Sequence, residues 1–205
     1  MSTTPRPWSV VRTEQVADYR IFRIERISAT RNPGDAPASF VRVHSPDWVN
    51  IIAVSPNRHI ALVQQYRHGT QSLTWEIPGG MIDAGEQPLS AGVRELAEET
   101  GIAAPLWVRL GSVDVNPAFM SNRCHTFLAW DATVTSDTRF DEHEELLLRW
   151  IPWDQTVQML RDGSLNHGVV VAAFAFWAAH FNGFRMPDPS EVRALLVDGP
   201  TATGR

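Results

Sequence analysis

Between residues 79 and 102 the chain reads GGMIDAGEQPLSAGVRELAEETGI, and four of these residues are glutamates. On a helix, Glu95, Glu98 and Glu99 stand at i, i+3 and i+4 and share one face. Like charges at that spacing repel by about a few tenths of a kcal/mol per pair. An acidic run is ordinarily a solvated face balanced by basic neighbours. Here lysine is absent from Pro88 to Thr100, and Arg94 is the only base. A bound hard cation accounts for the pattern better, and oxygen donors on a rigid element suit Mg²⁺ or Mn²⁺. Gly79 and Gly80 permit backbone conformations closed to other residues, so that a carbonyl can turn toward such an ion. Asp83-Ala84-Gly85-Glu86 then makes a tight connection into the helix.

Several elements must position this run. Pro88 fits a first helical turn and Gly101 a C-terminal stop, which predicts a helix over 88–100. Short strands are expected at 49–55, 60–66 and 75–77 before it, and at 107–113, 124–130 and 146–151 after it, with helices at 153–161 and 169–181. Upstream, alternation predicts strands at 16–26 and 40–44, separated by the NPGDAP break. Together these give an α+β fold: a mixed sheet with helices packed on it. The expected organisation is an N-terminal β lobe over 1–46, a main domain over 47–190 and a C-terminal tail over 191–205.

Composition narrows the partners. A net charge of -5 and a pI near 5.8 argue against a nucleic-acid binder, which wants a basic stripe. They leave room for a small anionic substrate held through cations. Cys124 is the only cysteine, so neither an intrachain disulfide nor a cysteine-based zinc site is available. The first residues carry no apolar signal-peptide run, and 169–179 falls far short of the ~20 apolar residues of a membrane span. The expected location is the cytoplasm, with no membrane partner.

The spacing Gly80-x5-Glu86-x7-Arg94-Glu95-Leu96-Ala97-Glu98-Glu99-Thr100-Gly101-Ile102 resembles the Nudix box, G-x5-E-x7-R-E-U-x-E-E-x-G-U, at every specified position. Seven fixed residues coincide by chance on the order of once in a million over a chain of this length. The resemblance implies an α/β/α sandwich around a mixed sheet and a metal-dependent hydrolase. Glu95 and Glu99 would be metal ligands, with Glu98 a ligand or close behind one. The carbonyl of Gly79 would complete the protein side. Arg94 would pair with Glu86 or Glu98 and hold the loop, while Gly80, Glu86 and Gly101 shape the motif.

Flanking residues look like the ADP-ribose pyrophosphatase branch, which cleaves nucleoside diphosphate sugars: Gln65-Tyr66-Arg67, Glu76-Ile77-Pro78-Gly79-Gly80, and Pro117 fifteen residues past the box. Arg67 has no evident partner in sequence, and the resemblance makes it a phosphate contact, as suits a bidentate guanidinium. Met81 and Pro117 would line the pocket, and Trp8, Phe22 and Trp48 could stack on a base. Asn116-Pro117-Ala118 departs from the Ser-Pro-Gly common in ADP-ribose hydrolases, so GDP-mannose or another nucleotide sugar stays open. In Asp141-Glu142-His143-Glu144-Glu145, the branch implies Glu142 as catalytic base and Glu144 as an added ligand, with Glu145 the rival for either. His125 and His143 are expected to be structural. A lobe of about 45 residues is marginal alone, and in the branch it builds a homodimer. The alternatives are a non-catalytic nucleotide-binding module and a nucleoside triphosphate-sanitising enzyme.

Overall fold

The computed structural model describes residues 4–138 and 145–196. It divides into two compact units. One comprises the residues up to Pro46 together with Asp114–Arg123, the other Asp47–Val113 and the chain from Cys124 onward.

In the first unit, β1 (Ser9–Asp18), β2 (Arg23–Thr30) and β3 (Ala38–His44) form an antiparallel meander in that spatial order. The strand expected over 16–26 is two strands around a turn. Tyr19 N–H donates to the Phe22 carbonyl at 2.9 Å, Arg20 takes φ 66°, and the Asp18 carboxylate accepts the Arg20 N–H at 3.1 Å. Tyr19 and Ile21 alternate with polar residues through that turn, and so imitate a strand's period of two. Segment 114–123 returns to β3: Val43 N–H donates to Phe119 and its carbonyl accepts from Ser121, at 2.7 and 3.1 Å. The unit is therefore not the simple stretch 1–46. Ala29 is its one buried apolar residue among those described, whereas Val10, Val16, Tyr19, Ile21, Phe40 and Val41 are exposed.

The second unit carries the expected mixed sheet, in the order β12 (Leu147–Pro152), β5 (His59–Arg67), β4 (Trp48–Val54), β10 (Arg123–Trp130), β9 (Leu106–Asp114). β6 (Ser72–Glu76) pairs antiparallel with β5, and β7 (Gly79–Met81) with β4. A two-residue pairing joins β8 (Ile102–Ala103) to β11 (Thr133–Val134). Because side chains alternate along a strand, β4 sends Val49, Ile51 and Ala53 to one face and Ile52 and Val54 to the other. The helix α1 (Pro88–Thr100) covers the first face through Ala91 and Leu96. α2 (Trp153–Asp162), α3 (Gly168–His180) and α4 (Pro189–Arg193) cover the second through Val157, Phe174, Trp177 and Val192. The result is a helix–sheet–helix sandwich.

The boundary expected at 190 falls inside α4. Its start, Asp188-Pro189-Ser190-Glu191, forms a capping box, and Val192 is fully buried in the core. No described helix is long and apolar enough to cross a membrane.

Candidate functional site

α1 runs over the residues expected from its punctuation. Pro88 occupies its first turn, and Gly101 closes it in the left-handed region at φ 66°, its N–H donating to Ala97 at 2.9 Å. Ahead of the helix, the loop 82–87 is tied by Glu86 N–H to the Asp83 carbonyl and by Asp83 N–H to the Glu86 carboxylate, at 3.0 and 3.1 Å.

Arg94 holds this assembly together. Its Nε and Nη2 donate to the two Glu86 oxygens at 3.1 and 2.8 Å, and Nη1 donates to Glu95 at 2.8 Å and Glu98 at 3.1 Å. Nη2 also donates to the Met81 carbonyl at 3.1 Å, which fixes β7 against the helix. The hydrogen bond to Arg94 holds the Glu86 carboxyl below its usual range. The bonds to Glu86, then to Glu95 and Glu98, keep Arg94 more firmly protonated than an ordinary arginine. With all four box carboxylates ionised, one guanidinium leaves a formal charge of about -3, a field that favours a cation.

The two inner carboxylates meet the glycines that open β7. Glu99, buried, accepts the Gly79 N–H at 3.0 Å. A Cβ on residue 80 would fall 2.5 Å from the Glu95 carboxylate, so only glycine allows that approach. Glu95 is largely covered and Glu98 about half-exposed. Among the described residues no three histidine, cysteine or acidic side chains are already gathered as a metal centre. The donor set nonetheless fits a hard divalent ion in kind, with carboxylate oxygens against a strand start whose two glycines carry no side chains. Glu142 and Glu144 lie outside the described residues. Glu145 is exposed just before β12. Buried Cys124 offers no nucleophile, because burial, with Asp47 adding to it, pushes its thiol up to about 12.

Arg67 does have a partner, contrary to its appearance in sequence. From the end of β5 it grips Glu76 on β6 through Nε and Nη2 at 2.8 and 2.7 Å. Glu76 also accepts from Thr74 Oγ1 at 2.7 Å and sits 2.9 Å from His167 Nδ1. Sequence reasoning missed Glu76 and His167 as a pair. The one signal was a glutamate inside an apolar stretch, Trp75-Glu76-Ile77-Pro78, where a buried charge must find donors. Pro117 belongs to the first unit, in a turn where Met120 N–H donates to Asn116 at 2.8 Å. Met81 exposes its side chain. Trp8 stacks edge-on to Phe40 beneath Arg31, Phe22 leans on Tyr19, and Trp48 lies in β4 opposite Met81.

The Glu76 cluster predicts a pH effect. Burial, the largest influence, would raise its carboxyl, but the bonds from Arg67, His167 and Thr74 together overcome it and hold the group far below the usual range. A depressed carboxyl stabilises the fold above its unfolded value of ~4.3, and that contribution is lost as pH falls further. Glu76→Gln should therefore melt below wild type at pH 7 by about 2 kcal/mol of stability. The gap should narrow on acidification from pH 4.5 toward pH 3, because the unfolded chain takes up a proton there that the folded carboxylate, held well below that range, does not. Thermal melts across that range check this, and a constant gap would refute it.

The comparisons point one way. A family model described as the NUDIX domain matches residues 44–174. The chain is 28% identical over 197 residues to the ADP-ribose pyrophosphatase of Mycobacterium tuberculosis, spanning 95% of this chain and 94% of that protein. It is 28% identical over 175 residues to the ADP compounds hydrolase NudE of Escherichia coli, spanning 84% and 92%. A solved structure of an ADP compounds hydrolase superposes with a TM-score of 0.75 at 26% identity, over 87% of this chain and 97% of that one.

Proposed function

The chain belongs to the NUDIX family and is a hydrolase of nucleoside diphosphate-linked compounds, and from that premise we propose that it splits the pyrophosphate of an ADP-ribose-like nucleotide sugar in a Mg²⁺-dependent reaction. The observation that carries this reading is the Arg94 network, which ties Glu86, Glu95 and Glu98 together, with Glu95 against Gly80 and Glu99 on the Gly79 N–H.

Glu95 and Glu99, with the Gly79 carbonyl, hold the ion, while Glu98 and Glu144 serve as further ligands. Mg²⁺, when bound, neutralises the diphosphate and acidifies water. Arg67 grips the diphosphate. Glu142 takes the proton from the attacking water, whose oxygen bonds to one phosphorus as the anhydride P–O bond breaks. The products are a nucleoside monophosphate and a sugar phosphate. A panel of ADP-ribose, GDP-mannose, UDP-glucose and dGTP with Mg²⁺ tests the reading, and AMP from ADP-ribose is the expected product. The Asn116-Pro117-Ala118 departure leaves GDP-mannose or another nucleotide sugar as the second reading, with the corresponding nucleoside monophosphate released. Preference for dGTP, or no metal-dependent turnover at all, overturns both.

The active form in this reading is a homodimer built through the N-terminal lobe. Support comes from the lobe's exposed apolar residues, including Val10, Val16, Phe40 and Val41, around one buried apolar residue among those described. Light scattering at micromolar concentration should report about twice the 22.9 kDa chain. A fully active monomer would exclude the dimer.

A further inference from the structure

We propose that His167 is a positioning residue for the reaction: it fixes the Glu76 carboxylate, and through it the orientation in which the Arg67 guanidinium meets the substrate diphosphate. The proposal rests on Arg67 as a diphosphate contact.

Glu76 is 3% exposed, and both its oxygens are engaged twice. Oε1 accepts from Arg67 Nε and Thr74 Oγ1, and Oε2 accepts from Arg67 Nη2 and His167 Nδ1. A carboxylate held only by Arg67 and Thr74, both on the β5–β6 hairpin, could tilt together with its arginine. The fourth bond comes from outside that hairpin, 91 residues along the chain. Facing a carboxylate oxygen, Nδ1 carries the hydrogen and donates it.

His167 is well placed as a fixed post. It is the N-cap residue of α3, yet its side chain makes no capping bond to the helix and turns to Glu76 instead. Its carbonyl accepts from Val170 and Val171 N–H, at 2.9 and 3.0 Å, which sets it into the first helical turn. That turn is pinned to the sheet. Asn50 Nδ2 donates to the Val169 carbonyl at 3.1 Å, and Thr126 Oγ1 donates to Asn50 Oδ1 at 2.7 Å, with both side chains buried. Two central strands thus hold the helix start that holds Glu76.

The consequence for Arg67 is geometric. A guanidinium presents two forked edges. Glu76 grips the Nε–Nη2 edge and so sets the plane in which the other edge lies, while the side chain stays 44% exposed. The pair is neutral overall, so Arg67 serves the diphosphate by direction more than by field, and directional contacts are sensitive to small misplacements.

The test is steady-state kinetics of the full chain with ADP-ribose and Mg²⁺, for His167→Ala, His167→Leu, His167→Asn, Arg67→Ala and the His167→Ala/Arg67→Ala pair. Loss of the donor in the Ala and Leu variants should raise KM about tenfold with kcat within about twofold of wild type. Asparagine, whose side-chain N–H₂ can stand where Nδ1 does, should restore KM. In the Arg67→Ala background, His167→Ala should add nothing, because the two act through one contact. An equal His167 effect with and without Arg67, or a fall in kcat that Asn does not rescue, overturns the positioning role. An unchanged KM in Arg67→Ala alone would instead overturn Arg67 as a diphosphate contact.

Discussion

Glu99→Gln and Glu95→Gln should each cut turnover by roughly a thousandfold or more, since a metal site stabilises the transition state by several kcal/mol and each 1.36 kcal/mol is a factor of ten. Both substitutions keep the shape of the side chain. Glutamine at 99 can still accept the Gly79 N–H that Glu99 accepts at 3.0 Å, and at 95 it still fits against Gly80. What changes is one negative charge beside a hard cation, so the loss reports metal binding more than folding. Two controls accompany the measurement. Thermal melts should stay near wild type, and a Mg²⁺ titration of kcat should shift to higher concentration, with excess Mg²⁺ recovering part of the activity. Wild-type turnover at low Mg²⁺ in both variants would remove these residues from the metal site.

Glu142→Gln should lower kcat by about 10²–10⁴, the usual scale of general-base loss, while KM and the Mg²⁺ requirement stay nearly unchanged. The contrast within the acidic loop is the informative part. Glu144→Gln should instead resemble the box variants and respond to added Mg²⁺, if it is a ligand. Glu145, exposed beside β12, should tolerate the change, and Glu98, engaged by Arg94 at 3.1 Å, should show no base-like loss. If Glu142→Gln keeps wild-type turnover while Glu145→Gln or Glu98→Gln loses it, the base is misassigned.

What could be read in the chain was whatever short-range chemistry encodes. Pro88 and Gly101 mark the ends of α1 because a missing N–H suits one end and a left-handed residue the other. The pairing of Arg94 came from the resemblance, as Glu86 or Glu98, and the structure makes both at once. The hairpin at 19–22 escaped because its apolar residues keep a strand's rhythm through a turn. The capping box at Asp188 is legible by its Asp-x-x-Glu spacing and argues against a boundary at 190. Glu76 and His167 were not legible as a pair, because tertiary packing alone brings residues so distant together. The roles assigned to Glu142 and Glu144 rest on sequence, since both lie outside the described residues.

The return of 114–123 to β3 also bears on the order in which the protein is made. Asp114 and Arg123 close the base of this excursion with an ion pair at 3.4 Å, and Val115 N–H donates to the Asn122 carbonyl at 3.2 Å. The first unit therefore begins to emerge from the ribosome first, yet lacks its last segment until roughly 80 residues later. At ~5–20 residues per second, that is a wait of about 4–15 s. During this interval β3 lacks its Phe119 and Ser121 partners and offers an unpaired strand edge to other chains. A nascent chain halted between residues 46 and 114 should therefore be more prone to association than one halted after 123.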